Sequence, residues 1–378
     1  MIHDFFSKIS LLLLLCLPVF ADAQQSRLWG VTSVDGENGY GTVFHLNTDG
    51  TGFTKVHDFS GDHGYPFASL TYGDGKLWGM TMGRTGTPTS REQAGHGAIF
   101  TLETDGSGFK NLHAFIGSDG SMPLGELIEH GDRIWGMTYQ GGKHNQGVIF
   151  SIKPDGTAFR KEHDFDKASG AMPRNSLLVY RGKFWGTTSR GGDNNMGVIF
   201  NLNLDGTGYK KVYDFERTNG GEPESGLTLY RGKFWGMTAR GAAHNEGSLF
   251  SINTDGSRFT KHHDFIYPTL GDLIVSNDKL WGMMSLRGDH NAGVIFTMDA
   301  IGYKAVHHFK KANGRFPEGN LVESAGQLWG MTRFGGANDT GVLFSIGKDG
   351  TGFRKALDFD KSTGGTPYGT LIEVPVSN

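Results

Sequence analysis

Residues 184–215 read FWGTTSRGGDNNMGVIFNLNLDGTGYKKVYDF. Short runs of apolar and β-branched residues alternate here with clusters of Gly, Asn and Asp, which is the pattern of strands joined by turns. With the preceding run Leu177-Leu178-Val179-Tyr180, the stretch predicts strands over 176–180, 183–188, 197–201 and 209–215. Arg181-Gly182 and Asp205-Gly206 mark two tight hairpins, because Gly accepts positive φ at little cost. A helix would need a sustained 3.6-residue apolar period without Gly, and no such window occurs.

The same unit recurs along the chain. An aliphatic residue or Phe followed by Trp-Gly falls at every tryptophan: Trp29, Trp78, Trp135, Trp185, Trp235, Trp281 and Trp329. Each copy continues to an aliphatic-Phe step, at Phe44, Phe100, Phe150, Phe200, Phe250, Phe296 and Phe344, and then to an Asp-Gly turn that degenerates only at Asp299-Ala300. An H-D-F-like step and a Pro-led aliphatic run complete the unit. Four strands per repeat of about 50 residues is the β-propeller signature. The first copy lacks its Pro-led strand, and residues 367–374 supply one with nothing after it. The expectation is an all-β, seven-bladed β-propeller of four antiparallel strands per blade, spanning 24–378 and closed by pairing of the N- and C-terminal strands. Pairing the ends hides edges that would otherwise template aggregation. The pattern leaves open which strand lies innermost.

Composition agrees with a folded, turn-rich protein. Sixty of the 378 residues are Gly, about twice ordinary usage, yet without a collagen-like period. Residues 1–23 read as a cleaved signal peptide, with an apolar run over 11–20 and a small-x-small site at Ala21-Asp22-Ala23. That run is too short to span a bilayer, so a secreted or periplasmic protein without a membrane span is expected. Cys16 is the only cysteine, so the mature chain has no disulfide or Cys-ligated metal site. The formal charge is −3, with no basic block or stripe, which argues against nucleic acid as a partner. A closed ring needs no partner for stability, and a monomer is expected.

The pattern LWGMT-x-x-GG-x-x-N-x-GVIFSI-x-x-DGTGF resembles the GloVer tandem repeat of secreted and surface bacterial proteins. It reads most cleanly from Phe184-Trp185-Gly186 through Gly197-Val198-Ile199-Phe200 to Asp205-Gly206-Thr207-Gly208. The resemblance covers all seven copies and implies a role outside the cytoplasm. It brings no activity to particular residues.

Residue types present in every blade are read as structure. The seven Trp-Gly steps suit packing between blades better than a sugar-stacking ring. His57, His113, His163, His263 and His307 share one slot with Tyr213 and Leu357. They are expected to hydrogen-bond neighbouring loop backbone, since Leu357 breaks any metal ring. The Asp-Gly turns lack the further carboxylates of a calcium loop. No cofactor or metal site is expected, although the sequence is compatible with a structural cation in the central channel.

Function is expected on the face carrying the two long loops, T-x-x-G-G-x-x-N-x-G and D-F-to-Pro. Asn38, His144, Asn194, His244, His290 and Asn338 lie nine residues after their Trp, where Asn and His suit left-handed turn geometry. Beside them lie Tyr139, Gln140, Arg190, Arg240, Arg287 and Arg333. The second copy has an insertion over 84–95 with Arg84, Arg91 and Glu92, followed by His96. The sixth copy shortens its other loop to Ile266-Tyr267-Pro268, so a cleft is expected between insertion and lowered rim.

Two readings follow. The first is a non-catalytic recognition scaffold that binds a polysaccharide or a surface protein through Arg84, Arg91, Glu92, His96, Gln140, Arg287, His290 and Arg333. The alternative is a propeller-type polysaccharide lyase acting on a uronic-acid-containing polymer. Arg190 or Arg240 would neutralise the uronate carboxylate, His144 or His244 would take the proton, and Tyr139 would protonate the leaving oxygen. No G-x-S-x-G, H-E-x-x-H or Walker pattern supports another enzyme class.

Overall fold

The computed structural model describes residues 25–61, 63–83, 95–266 and 271–376. Among these, the strands form seven antiparallel sheets arranged as the blades of a ring. The fourth blade is typical, with strands Leu178–Tyr180, Lys183–Thr188, Val198–Asn203 and Lys210–Asp214 in that order. Apart from a 3-10 turn at Lys311–Asn313, no helix occurs among the described residues. None is long and apolar enough to cross a membrane.

The Pro-led strand is innermost. These short strands contact their counterparts in neighbouring blades, as Thr228–Tyr230 does with Ile274–Ser276. The strand expected from 176 begins only at Leu178: Ser176 turns to the axis, where its Oγ accepts the N–H of Glu126 at 3.0 Å. Ring closure is as expected: Ile372–Pro375 pairs antiparallel with Ser26–Thr32, with Trp29 opposite Ile372 and Arg27 opposite Val374. At Arg181-Gly182 both residues have positive φ, 47° and 74°, which is the twist a two-residue hairpin requires.

The repeated residues build the inter-blade core. Gly186 stands directly across from Phe200, and a Cβ on Gly186 would lie 2.5 Å from the Phe200 ring. The Phe therefore lies flat over its partner strand, and only Gly leaves room for it. Phe200 in turn meets Phe165 and Tyr209. Trp135 packs on Phe184 of the next blade with ring centroids 4.6 Å apart, and six of the seven tryptophans are at most 5% exposed. Buried in this way, they cannot stack on a sugar.

Among the described residues, the His slot shows none of the backbone hydrogen bonds expected of it. A bulge between Ile199 and Phe200 shifts the register of the outer strand, and the same bulge occurs in the other blades. Each ring in this slot lies parallel to the aromatic residue that follows the next blade's Asp-Gly turn. Examples are His163 on Tyr209 at 3.8 Å, His113 on Phe159 at 3.9 Å and His307 on Phe353 at 3.8 Å. His57 and His163 leave Nε2 buried without a hydrogen-bond partner. The slot thus clamps one blade to the next by ring stacking.

Burial lowers the pKa of His57, His163, His263 and His307, the last to about 4. For His163, the nearby Asp166 and Asp164 only partly oppose this. A folded-state pKa below the unfolded value of 6.5 means that the unfolded chain takes up protons first. The stabilisation is complete above pH 6.5 and is lost as pH falls toward 4. The melting temperature is therefore expected to fall between pH 7 and pH 4.5, and to fall less in His163→Phe, which keeps the stack without titrating. Equal slopes for the two proteins would show that this ring is not a source of acid sensitivity.

Candidate functional site

The five residues before a proline at Met122, Met172, Glu222, Phe316 and Thr366 share a left-handed backbone, with φ from 47° to 57°. Proline disfavours the right-handed helical region for its predecessor, and hydrogen bonds on both sides hold the alternative in place. The N–H of Phe316 donates to the carbonyl of Ala292 at 2.9 Å, and its own carbonyl accepts the N–H of Arg333 at 3.0 Å. Each such residue thus bridges two blades at the mouth of the central funnel. Two of them, Glu222 and Phe316, line a cavity of about 550 Å³ there.

That cavity opens on the long-loop face and spans the third to seventh blades. The loops after the Trp-Gly strands contribute Tyr139, Arg190, Arg240, Arg333 and Phe334, and the residues after the prolines contribute Arg174, Glu224 and Glu318. Arg174 Nη1 meets Glu224 Oε1 at 3.1 Å, Arg190 Nη1 meets Glu222 Oε1 at 2.9 Å, and Arg333 Nη1 meets Glu318 Oε2 at 3.2 Å. In each pair the carboxylate is the buried partner, 10–16% exposed, and the guanidinium is 27–43% exposed. Burial raises the pKa of Glu224 and Glu318, against the pull of Arg174 and Arg333. Arg240 has no ion pair among the described residues. Aromatic rings back this wall: Arg174 lies over Tyr139 at 5.4 Å, and Arg333 over Phe334 at 5.0 Å and Tyr368 at 5.7 Å.

Below the cavity the channel narrows to a neck of about 70 Å³, room for a few water molecules only. The side chains of Ser69, Glu126, Ser176, Asp272, Asn320 and Thr370 form a belt around it. Ser69 Oγ accepts the N–H of Thr370 at 2.7 Å, Thr370 Oγ1 that of Asn320 at 3.0 Å, and Asp272 Oδ1 that of Gly226 at 2.6 Å. Burial pushes Glu126 up to about 7 and also raises Asp272, which adds to the shift at Glu126. Among the described residues, no three His, Cys, Asp or Glu side chains converge as metal ligands.

The structure brings Tyr139, Arg190, Arg240 and Arg333 to one cavity and leaves other predicted residues outside it. His144, His244, His290 and Arg287 are exposed on the outer turns and do not line it. Gln140 is tied down by backbone pairing with Ser121, and His96 Nδ1 lies 3.0 Å from Ser121 Oγ. Arg84, Arg91 and Glu92 lie outside the described residues, as does most of the shortened loop of the sixth copy. The slot nine residues after each Trp is not the left-handed one. That conformation falls one residue later, at Asn145, Asn195, Asn245, Asn291 and Asp339. At Asn145, Asn195, Asn291 and Asp339 the side chain accepts a backbone N–H four residues back, as Asn195 Oδ1 does from Gly191 at 3.1 Å.

Arg174, Glu222, Glu224, Phe316, Glu318 and Phe334 were not legible as site residues. One signal points to most of them: the residues flanking each proline change from Met-Pro-Leu to Met-Pro-Arg, Glu-Pro-Glu, Phe-Pro-Glu and Thr-Pro-Tyr, while the Trp-Gly and aliphatic-Phe steps recur in every copy.

Among solved structures, the chain is similar to a candidate 6-phosphogluconolactonase of Bacteroides fragilis. Identity is 17% and the TM-score 0.62, over 94% of this chain and 99% of that one. It is also similar to the periplasmic gluconolactonase of Pseudomonas aeruginosa, at 15% identity and TM-score 0.59 over 93% and 100% of the two chains. A Lactobacillus plantarum protein gives 13% and 0.60 over 93% and 99%. At these identities the likeness is one of fold. No curated protein matches by sequence. The model of the Gloeobacter/Verrucomicrobia repeat matches residues 84–272 and 266–377. With that match over most of its length and the Trp-Gly unit in all seven blades, the chain belongs to the Gloeobacter/Verrucomicrobia (GloVer) repeat family.

Proposed function

We propose that the protein is a non-catalytic recognition scaffold, exported from the cytoplasm, that binds a saccharide in the long-loop funnel. One observation carries this reading: a single cavity combines aromatic faces (Tyr139, Phe316, Phe334) with three Arg–Glu pairs. Sugars present apolar C–H faces and rows of hydroxyls that both donate and accept. Aromatic rings suit the former, and paired guanidinium and carboxylate groups suit the latter. The fold neighbours named as gluconolactonases bear on this only in that sugar lactones belong in the ligand panel.

The lyase reading has its neutralising arginine and its tyrosine in the same cavity. His144 and His244 stand outside it, and the imidazole base is missing from the reacting position. Calorimetric titration of mono- and oligosaccharides is expected to show binding that Phe334→Ala weakens about three- to tenfold, the usual worth of an aromatic contact. Ultraviolet absorbance with uronic-acid polymers is expected to stay flat. A rising trace would replace the scaffold reading by elimination, and a panel in which no saccharide binds would remove it.

A further inference from the structure

We infer that the funnel selects a saccharide unit bearing an oxyanion, with Arg240 as the group that reads it. The inference rests on the proposal that the funnel binds a saccharide and names the chemical class. Four guanidinium groups face three carboxylates in the cavity, which leaves one positive charge uncompensated. The carboxylates are the buried members of their pairs, so the accessible wall is guanidinium. Arg174, Arg190 and Arg333 each spend only Nη1 on their Glu among the described contacts. A guanidinium carries five N–H donors in a planar fork, so most of each fork is free for another acceptor. Arg240 is exposed on the same wall with no carboxylate in ion-pair range among the described residues.

An incoming oxyanion would thus take bidentate, charge-assisted hydrogen bonds without displacing an existing pair. A second anionic unit would meet Glu222, Glu224 and Glu318 with no further charge to balance it. A carboxylate, as in a uronic acid, and a phosphate ester share this chemistry, and the test separates them.

Glucuronate, glucose 6-phosphate, glucose and inorganic phosphate would be titrated calorimetrically into the full-length protein at two salt concentrations. The expected result is that at least one anionic sugar binds about tenfold or more tighter than glucose, with the preference shrinking at high salt. Arg240→Gln is expected to remove most of that preference, whereas Lys304→Gln, on an outer strand, is expected to keep it. Whichever anionic sugar binds better identifies the oxyanion. Equal affinity for glucose and the anionic sugars, or a preference untouched by Arg240→Gln in a variant that melts like the parent, overturns the inference and leaves the saccharide reading in place. Inorganic phosphate binding as tightly as the sugar phosphate overturns the saccharide reading itself.

Discussion

A chain ending at Thr370, without the strand Ile372–Pro375, is expected to lose cooperative folding and to associate on size-exclusion chromatography. Leu371 and Val374 are each 1% exposed, and their loss removes about 3–6 kcal/mol of apolar burial. That is comparable with the whole stability of many domains, about 5–15 kcal/mol. The truncation also strips the hydrogen-bonded partner from Ser26–Thr32, a strand carrying Leu28, Trp29 and Val31. An uncovered apolar edge of this kind templates pairing with other chains. Because the break opens the ring, the first and seventh blades lose their mutual clamp as well as one strand. A synthetic peptide of residues 366–376, added in excess, is expected to restore a single unfolding transition. A truncated chain with the parent's denaturant midpoint would show that closure is dispensable.

Gly186→Ala is expected to destabilise by about 1–3 kcal/mol, although Ala is ordinarily the better strand residue. The new Cβ would stand 2.5 Å from the Phe200 ring, which is fully buried between Phe165 and Tyr209 and cannot retreat. Phe200→Ala is expected to cost more, about 3–5 kcal/mol, because it opens a cavity at an inter-blade seam. The double variant decides the explanation. If the glycine exists to seat the ring, the methyl group added at position 186 occupies space vacated by the Phe200 ring, and the pair costs clearly less than the sum of the singles. Additive losses in chemical denaturation would mean that the glycine serves something other than the ring.

Much of the architecture was legible because its causes are local and repeated. Trp-Gly, the facing Phe and the Asp-Gly turn each have a short-range reason to recur. Asp205 Oδ1, for example, takes both the N–H and the hydroxyl of Thr207, at 2.9 and 2.6 Å. The His slot was visible as a slot, but its partner was not. The stack joins residues about 46 positions apart in neighbouring blades, such as His163 and Tyr209. The cavity was harder still. Arg190 and Arg333 reach it from blades far apart in sequence, and Glu224 and Glu318 reach it from prolines that looked like strand boundaries.

The number of blades, their strands and the closure of the ring follow from the order of residues alone, because a repeat whose strands pair with their neighbours needs only nearest-neighbour information. Which strand faces the axis, and therefore which side chains converge, is set by the packing of the blades around the ring. Ring closure carries slots of the third to seventh blades to one funnel, so the varied residues beside the prolines and after the Trp-Gly strands meet there, while the exposed His144, His244 and His290 do not line it.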